Sequence, residues 1–135
     1  PPLVSGVGVR LPSHLTATGR AILSALPRNQ VRALYPNRQA FTDRTGIGPK
    51  SPKELEATLA ETQRTGFAEE HGDVTPGFDS YAVAVRDYND FPIAGLALTF
   101  VSGSLRPEQE RSLKTKLRLG GTELSRRLGA VGSLT

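Results

Sequence analysis

The feature that most constrains this chain is a helix that marks both of its own ends and is followed at once by a change of period. Ser51-Pro52-Lys53-Glu54 sets serine at an N-cap, proline at the first helical position and glutamate at the third, a capping box. Leu55, Leu59 and Thr62 follow at helical spacing, and Gly66 stands where a left-handed terminal residue is wanted, so residues 52–65 are predicted to be helical. From Phe67 the period falls to two. Phe67 to Asp73 predicts one strand, residues 78–87 a second, and residues 92–100 a third. Tyr88-Asn89-Asp90 turns the last two into an antiparallel hairpin.

The flanking segments are read more coarsely. Residues 1–12 read as extended, with Leu3, Val4, Val7 and Val9 among glycines and prolines. Ser13 to Leu26 reads as a loop entering a helix, capped by Thr16, with Ala21, Ile22, Ala25 and Leu26 on its apolar side and Pro27 stopping it. A short helix is expected from Asn29 to Tyr35 with Val31 and Leu34 inward, and an irregular loop over 36–50. A final helix starts near Pro107 and carries Leu113, Leu117, Leu124 and Leu128 on one stripe. Gly120 and Gly121, on or beside that stripe, either weaken the helix or admit a close neighbour. The order predicts an α+β fold, an antiparallel sheet with helices on one face and at one end. The opening stretch enters the sheet from nowhere, so at least one further N-terminal strand is expected outside this chain.

Composition removes several classes of function. The 135 residues contain no cysteine, which excludes a disulfide scaffold, a Cys-ligated metal and a thiol nucleophile. The uncharged run from Ile93 to Leu105 falls short of the roughly 20 apolar residues that span a membrane, and no N-terminal segment has the form of a secretory signal. A membrane partner is therefore not expected. Methionine is also absent and the chain opens on Pro1-Pro2, so it reads as part of a longer protein. The net charge of +4 is local: residues 106–127 hold seven basic and three acidic residues, and the remainder is balanced at ten each. No aromatic residue interleaves with those charges, which points to a solvated helix face rather than a nucleic-acid stacking platform.

Candidates for chemistry are few, and no catalytic residue is assigned. A Ser–His–acid triad would need His14 or His71, and no Gly-x-Ser-x-Gly elbow is present. In Glu69-Glu70-His71-Gly72-Asp73, strand alternation sends Glu69, His71 and Asp73 one way and Glu70 the other. That trio would hold a divalent ion or simply form a solvated face, and no metal or other cofactor is assigned. Gly6-Val7-Gly8 and Gly46-Ile47-Gly48 are too short for a dinucleotide fingerprint.

A binding site remains. His14-Leu15-Thr16-Ala17-Thr18-Gly19-Arg20 approaches a helix start through small residues, leaving room for an anion to reach backbone amides. Phe78 and Ser80 share one strand face, as do Ala97 and Thr99. If those faces meet the helix start they enclose a small pocket, apolar in its walls, with two hydroxyls and a floor of backbone donors, suited to a small carboxylic acid. The same residues serve equally as ordinary packing and capping positions, and the residues alone leave both readings open.

At these positions the chain resembles the effector-binding domain of the IclR family of bacterial transcriptional regulators. The residues that carry the resemblance are 10–23 (Arg-Leu-Pro-Ser-His-Leu-Thr-Ala-Thr-Gly-Arg-Ala-Ile-Leu), Ser51-Pro52, the run 62–70, Gly77, and the strands 82–87 and 93–99. The resemblance implies a GAF-like (profilin-like) fold, with residues 1–135 forming one partial effector-binding domain. It implies a winged helix-turn-helix domain, absent here, that carries operator DNA binding. It further implies a small carboxylate effector, a homodimer or homotetramer, a cytoplasmic location and no catalysis. Carried over by position, the effector site falls on Ala17 and Thr18 as amide donors, with Glu70, Phe78, Ser80, Ala97 and Thr99 lining the rest. The chain departs from the family pattern at Glu70, where a shorter acid is usual, and at Asp73, where glutamate is usual. It departs again at Tyr81, Arg86 and Ala97, the last where serine occurs in members. These changes favour a less polar or differently shaped acid. The alternatives are an enzyme acting on a small acid through Glu70 or His14, and a GAF-like ligand or interaction module outside transcription.

Overall fold

A computed structural model describes residues 11–130; the expected extended stretch over 1–10 lies outside them. The elements, in order, are α1 (Ala17–Ala25), α2 (Arg28–Leu34), α3 (Pro52–Thr65), β1 (Ala68–His71), β2 (Phe78–Arg86), β3 (Pro92–Val101) and α4 (Pro107–Arg127), with a short 3₁₀ turn at Arg38–Ala40. The capping box at Ser51 forms: its hydroxyl accepts from the Glu54 amide, the Glu54 carboxylate accepts from the Lys50 amide, and Gly66 closes the helix in the left-handed region. The strands make one antiparallel sheet in the order β1-β2-β3. Asp87 accepts from the amides of Asn89 and Phe91 and so shapes the hairpin turn.

Both faces of β2 are covered, which corrects the expectation of helices on one face and at one end. Its alternation splits a uniformly apolar run into two sets. Ala82 faces α1 and packs with Ala17, Ala21 and Ala68. Tyr81 and Val83 face α4 and pack with Phe67 and Leu117. The small set lets α1 lie close; the large set fills the wider gap to α4. A central strand buried on both faces reads as a continuous apolar run and does not say which side its helices take.

Glycine permits a close approach of each helix to the sheet. A Cβ at Gly95 of β3 would lie 3.0–3.2 Å from Thr18, so the first turn of α1 rests directly on that strand. A Cβ at Gly121 would come within 2.6 Å of Val83, so α4 meets β2 along its Gly121 side. The predicted leucine stripe of α4 is corrected accordingly. Leu117, Gly121 and Ser125 are its buried residues, while Leu124 and Leu128 stay more than 40% exposed.

α3 forms an outer layer on α1, joining Leu55 and Leu59 to Leu23. Of the expected apolar side of α1, Ala21 is buried and Ile22, Ala25 and Leu26 are half-buried, while Ala17, Arg20 and Leu23 are buried as well, because α1 is squeezed between the sheet and α3. In α2 none of the residues is buried, and Leu34, expected inward, is 58% exposed.

One charged residue enters this interior. Arg20, 5% exposed, sends Nη2 to Asp73 Oδ2 at 2.5 Å, Nε to the His14 carbonyl at 2.8 Å and Nη1 to the Glu69 carbonyl at 2.7 Å. Gly48, at φ +108°, seals the pair; a Cβ there would sit 2.7 Å from Leu15 and 2.8 Å from Asp73. Replacing Arg20 with alanine strands a buried carboxylate and is expected to cost about 3–5 kcal/mol, read as a lowered urea midpoint. The double variant Arg20→Met/Asp73→Leu should recover a substantial part of that loss; equal midpoints for the single and double variants would show that the pair is not what holds this region.

Candidate functional site at the start of helix α1

The approach to α1 is a tight turn. The Leu15 and Thr16 amides both donate to the Pro12 carbonyl, at 3.1 and 3.3 Å. Thr16 is the N-cap, its hydroxyl accepting from the Gly19 amide at 3.0 Å. Gly19 is required here because a Cβ would lie 2.2 Å from the Ser13 carbonyl. This arrangement satisfies the third helical amide and leaves the first two. The N–H groups of Ala17 and Thr18 donate to nothing among the described residues. They lie at the positive end of the helix dipole, where a carboxylate is favoured.

The sheet brings the remaining candidates to the same side. Ser80 stands opposite Glu70 of β1 and Thr99 of β3, and its hydroxyl lies 2.9 Å from that of Thr99. Phe78 and Ala97 fall on this face as well, by the alternation of β2 and β3, and it is the face that α1 covers. Every residue expected at the site is thus on the α1 side of the sheet. Ala17 and Ser80 are buried, Thr18 and Phe78 half-buried, and Ala97 and Thr99 exposed. Among the described residues the site is a shelf open toward β3 rather than a closed pocket.

Glu70 is the one buried acid facing this shelf. Its Oε2 accepts from the Asp73 amide at 3.0 Å, and the Ser80 hydroxyl also bonds to it. Burial outweighs these hydrogen bonds, and with the Asp73 charge nearby it raises the pKa of Glu70 above the usual glutamate value.

The expected metal-like face does not form as read. β1 ends at His71, Gly72 turns at φ +75°, and Asp73 swings to the α1 side to meet Arg20. Asp79 of β2 takes its place: His71 Nδ1 lies 3.0 Å from Asp79 and Nε2 3.4 Å from Glu69. Among the described residues no three His, Asp or Glu side chains are grouped to hold a metal. Burial alone would lower the pKa of His71, but Asp79, aided by Glu69, outweighs it and raises the value. His14 is a core residue. Its Nε2–H donates to the Thr42 carbonyl, its ring packs edge-on against Tyr35 and Phe41, and burial lowers its pKa. It has the surroundings of a packing group rather than of an acid or base.

Arg20 was not legible as a site-shaping residue. The signal for it was a lone arginine on the small-residue side of α1, beside Ala17 and Ala21.

The sequence matches the profile of the family described as "Bacterial transcriptional regulator IclR C-terminal" over residues 2–126. The chain belongs to this IclR family. It is 30% identical over 125 residues to the HTH-type transcriptional regulator XynR of Escherichia coli, covering 93% of this chain and 49% of that protein. It is 31% identical over 130 residues to the glycerol operon regulatory protein of Streptomyces coelicolor, covering 92% and 48%. The crystal structure of the Agobacterium tumefaciens repressor BlcR superposes with a TM-score of 0.77 at 30% identity, over 93% of this chain and 51% of that one. The chain spans about half the length of the curated relatives it matches. The matched half is the effector-binding part of such regulators. Among the described residues no helix is long and apolar enough to cross a membrane.

Two outcomes follow from the charges. A buried acid with a raised pKa stabilises the fold below its unfolded value and loses that contribution as pH rises through the folded one. Glu70→Gln should therefore gain in melting temperature relative to the parent as pH rises from 5 to 8. For His71 the raised pKa gives stability present below about 6.5 and lost as pH rises through the folded value. Asp79→Asn should lower the His71 titration midpoint in an NMR pH series; an unchanged midpoint would remove Asp79 as the cause.

Proposed function

We propose that this IclR-family domain senses a small organic acid at the N-terminus of α1 and has no catalytic role. The carboxylate sits on the amides of Ala17 and Thr18. Ser80 and Thr99 orient its polar tail, Phe78 covers its apolar part, and Ala97 leaves space where a larger side chain would intrude. Glu70, with its proton affinity raised by burial, closes the far end of the row and donates a hydrogen bond when protonated. The observation that carries this reading is the pair of amides that donate to nothing among the described residues, held on the same side of the sheet as the Glu70–Ser80–Thr99 row. His14, a base that a turnover reading would use, is committed to packing, which supports sensing over turnover.

Regulation requires the acid to favour one arrangement of the assembled protein over another. In this reading the cytoplasmic protein is a homodimer or homotetramer and protomer packing is what shifts. Operator DNA is contacted by a separate helix-turn-helix domain, as the name of the relative XynR supports. The basic face of α4 is not the reading surface. Several of its charges are already engaged, Arg126 and Arg127 with Glu123, and Lys114 with Glu110 and over the Tyr81 ring.

A panel of small carboxylates screened by thermal shift tests the proposal. A binder at 100 times its dissociation constant stabilises by about 2.7 kcal/mol. Thr18→Pro removes one amide and Ala17→Leu fills the anion position, and each should abolish the shift. Ser80→Ala with Thr99→Val should weaken it without abolishing it. Normal binding by both α1 variants would place the acid elsewhere.

A further inference from the structure

A row of side chains crosses the sheet from a buried acid to the open shelf. Glu70 of β1 stands opposite Ser80 of β2, and Ser80 stands opposite Thr99 of β3. The Ser80 hydroxyl bonds to the Glu70 carboxylate and lies 2.9 Å from the Thr99 hydroxyl. In that last contact either oxygen can be the donor. Glu70 and Ser80 are buried, whereas Thr99 is exposed.

Each hydroxyl has a single proton to give, so the direction of the row follows the state of the acid. The amides of Asp73 and Val74 donate to the Glu70 carboxylate from the loop side, and Ser80 meets it from the sheet. With Glu70 ionised, Ser80 donates to it and Thr99 donates to Ser80. The Thr99 oxygen then turns only lone pairs to the shelf. With Glu70 protonated, its O–H donates to Ser80, Ser80 donates to Thr99, and the Thr99 proton points outward. One proton on a buried acid thus reverses both hydroxyls. The charged groups on this side of the sheet are Asp73 and its partner, Arg20 of α1. From β2 and β3 come Phe78, Ser80, Ala97 and Thr99, none of them charged, while Glu69, His71 and Asp79 lie on the opposite face. Burial and the Asp73 charge raise the pKa of Glu70, so both states are reached above the usual glutamate range.

We propose that Ser80 and Thr99 relay the protonation state of Glu70 to the ligand's tail, so that the site favours a tail that accepts a hydrogen bond when Glu70 is protonated and a tail that donates one when Glu70 is ionised. The relay rests on the sensing role proposed above for the place of the tail. Its proton coupling is measurable without a ligand.

Levulinate and isocaproate are the probes, titrated by calorimetry between pH 5 and pH 8. They match in shape and carboxylate, and only levulinate has an acceptor in its tail, so their affinity ratio cancels the repulsion of Glu70 for any carboxylate. The preference for levulinate should fall about three- to tenfold as pH rises through the Glu70 midpoint, the worth of one hydrogen bond. Glu70→Gln should hold the low-pH ratio throughout, because its amide donates to Ser80 at every pH. Ser80→Ala should make the ratio independent of pH. In the ligand-free protein, Thr99→Val should raise the Glu70 midpoint in a carboxyl-carbon NMR titration, although β2 lies between the two residues, because the ionised row loses its outer donor. The proposal fails if Thr99→Val leaves that midpoint unchanged. It fails equally if the ratio is flat in the parent, or if it keeps its pH dependence in Ser80→Ala. Where neither acid binds, or both bind Thr18→Pro normally, the sensing role at α1 is lost and the ligand-free titration decides the relay by itself.

Discussion

The buried ion pair between Arg20 and Asp73 organises this domain. A guanidinium in an apolar interior is tolerable only when its donors are met, and here an acid and two carbonyls meet them. The partners come from three parts of the chain: the turn before α1, strand β1, and the β1–β2 connection. A single side chain thus fixes the height and rotation of α1 over the sheet. The cap geometry at Thr16 lies one turn away on the same helix, so the pair also places the first-turn amides of Ala17 and Thr18. The connecting loop is drawn in as well, through Gly48 against the pair and the Thr45 hydroxyl on the Asp73 carbonyl.

Size and charge divide the two faces of the sheet into different tasks. The α1 face is built from alanine and serine, which brings a helix terminus near strand hydroxyls. The α4 face is built from Tyr81, Phe67 and Phe100, with Lys114 and Arg118 over the rings. Near one end of that face the Tyr81 hydroxyl donates to Glu110. Acids fare differently on the two sides. Glu70 is deprived of water and is raised in pKa, whereas Asp79, held by Ser102 and His71, is lowered despite its own partial desolvation. In the sensing role proposed above, a ligand with a negative charge would meet the first kind of acid, the one better able to accommodate it.

Helix α1 separates two surfaces of opposite construction. Toward the sheet it offers backbone donors and hydroxyls; toward α3 it offers Leu23 and Leu26. Both depend on α1 being thin on one side and apolar on the other, a division set by Ala17, Ala21 and Leu23 within two turns.

Most element boundaries were legible in the sequence. Ser51, Pro52, Glu54 and Gly66 announce α3, Thr16 caps α1, and the strand periods and the Tyr88-Asn89-Asp90 turn survive nearly unchanged, because these are local hydrogen-bond and backbone preferences. That Phe78 and Ser80 share a face, and likewise Ala97 and Thr99, was legible for the same reason: alternation is a property of one strand at a time; that the two pairs lie on the same face was settled by the register of β2 on β3. Other features were not. Which side each helix takes depends on the volumes of side chains distant in sequence, so α4 settled on Gly121 against Val83 rather than on its leucine stripe. Asp73 left the face of Glu69 and His71 because Arg20, 53 positions earlier, needed a buried acid, and no local pattern carries that demand. The short α2 was foreseeable as a helix. That Val31 of this helix packs on Leu23, Leu55 and Leu59 while Leu34 stays exposed was settled by how α1 and α3 pack together beneath it.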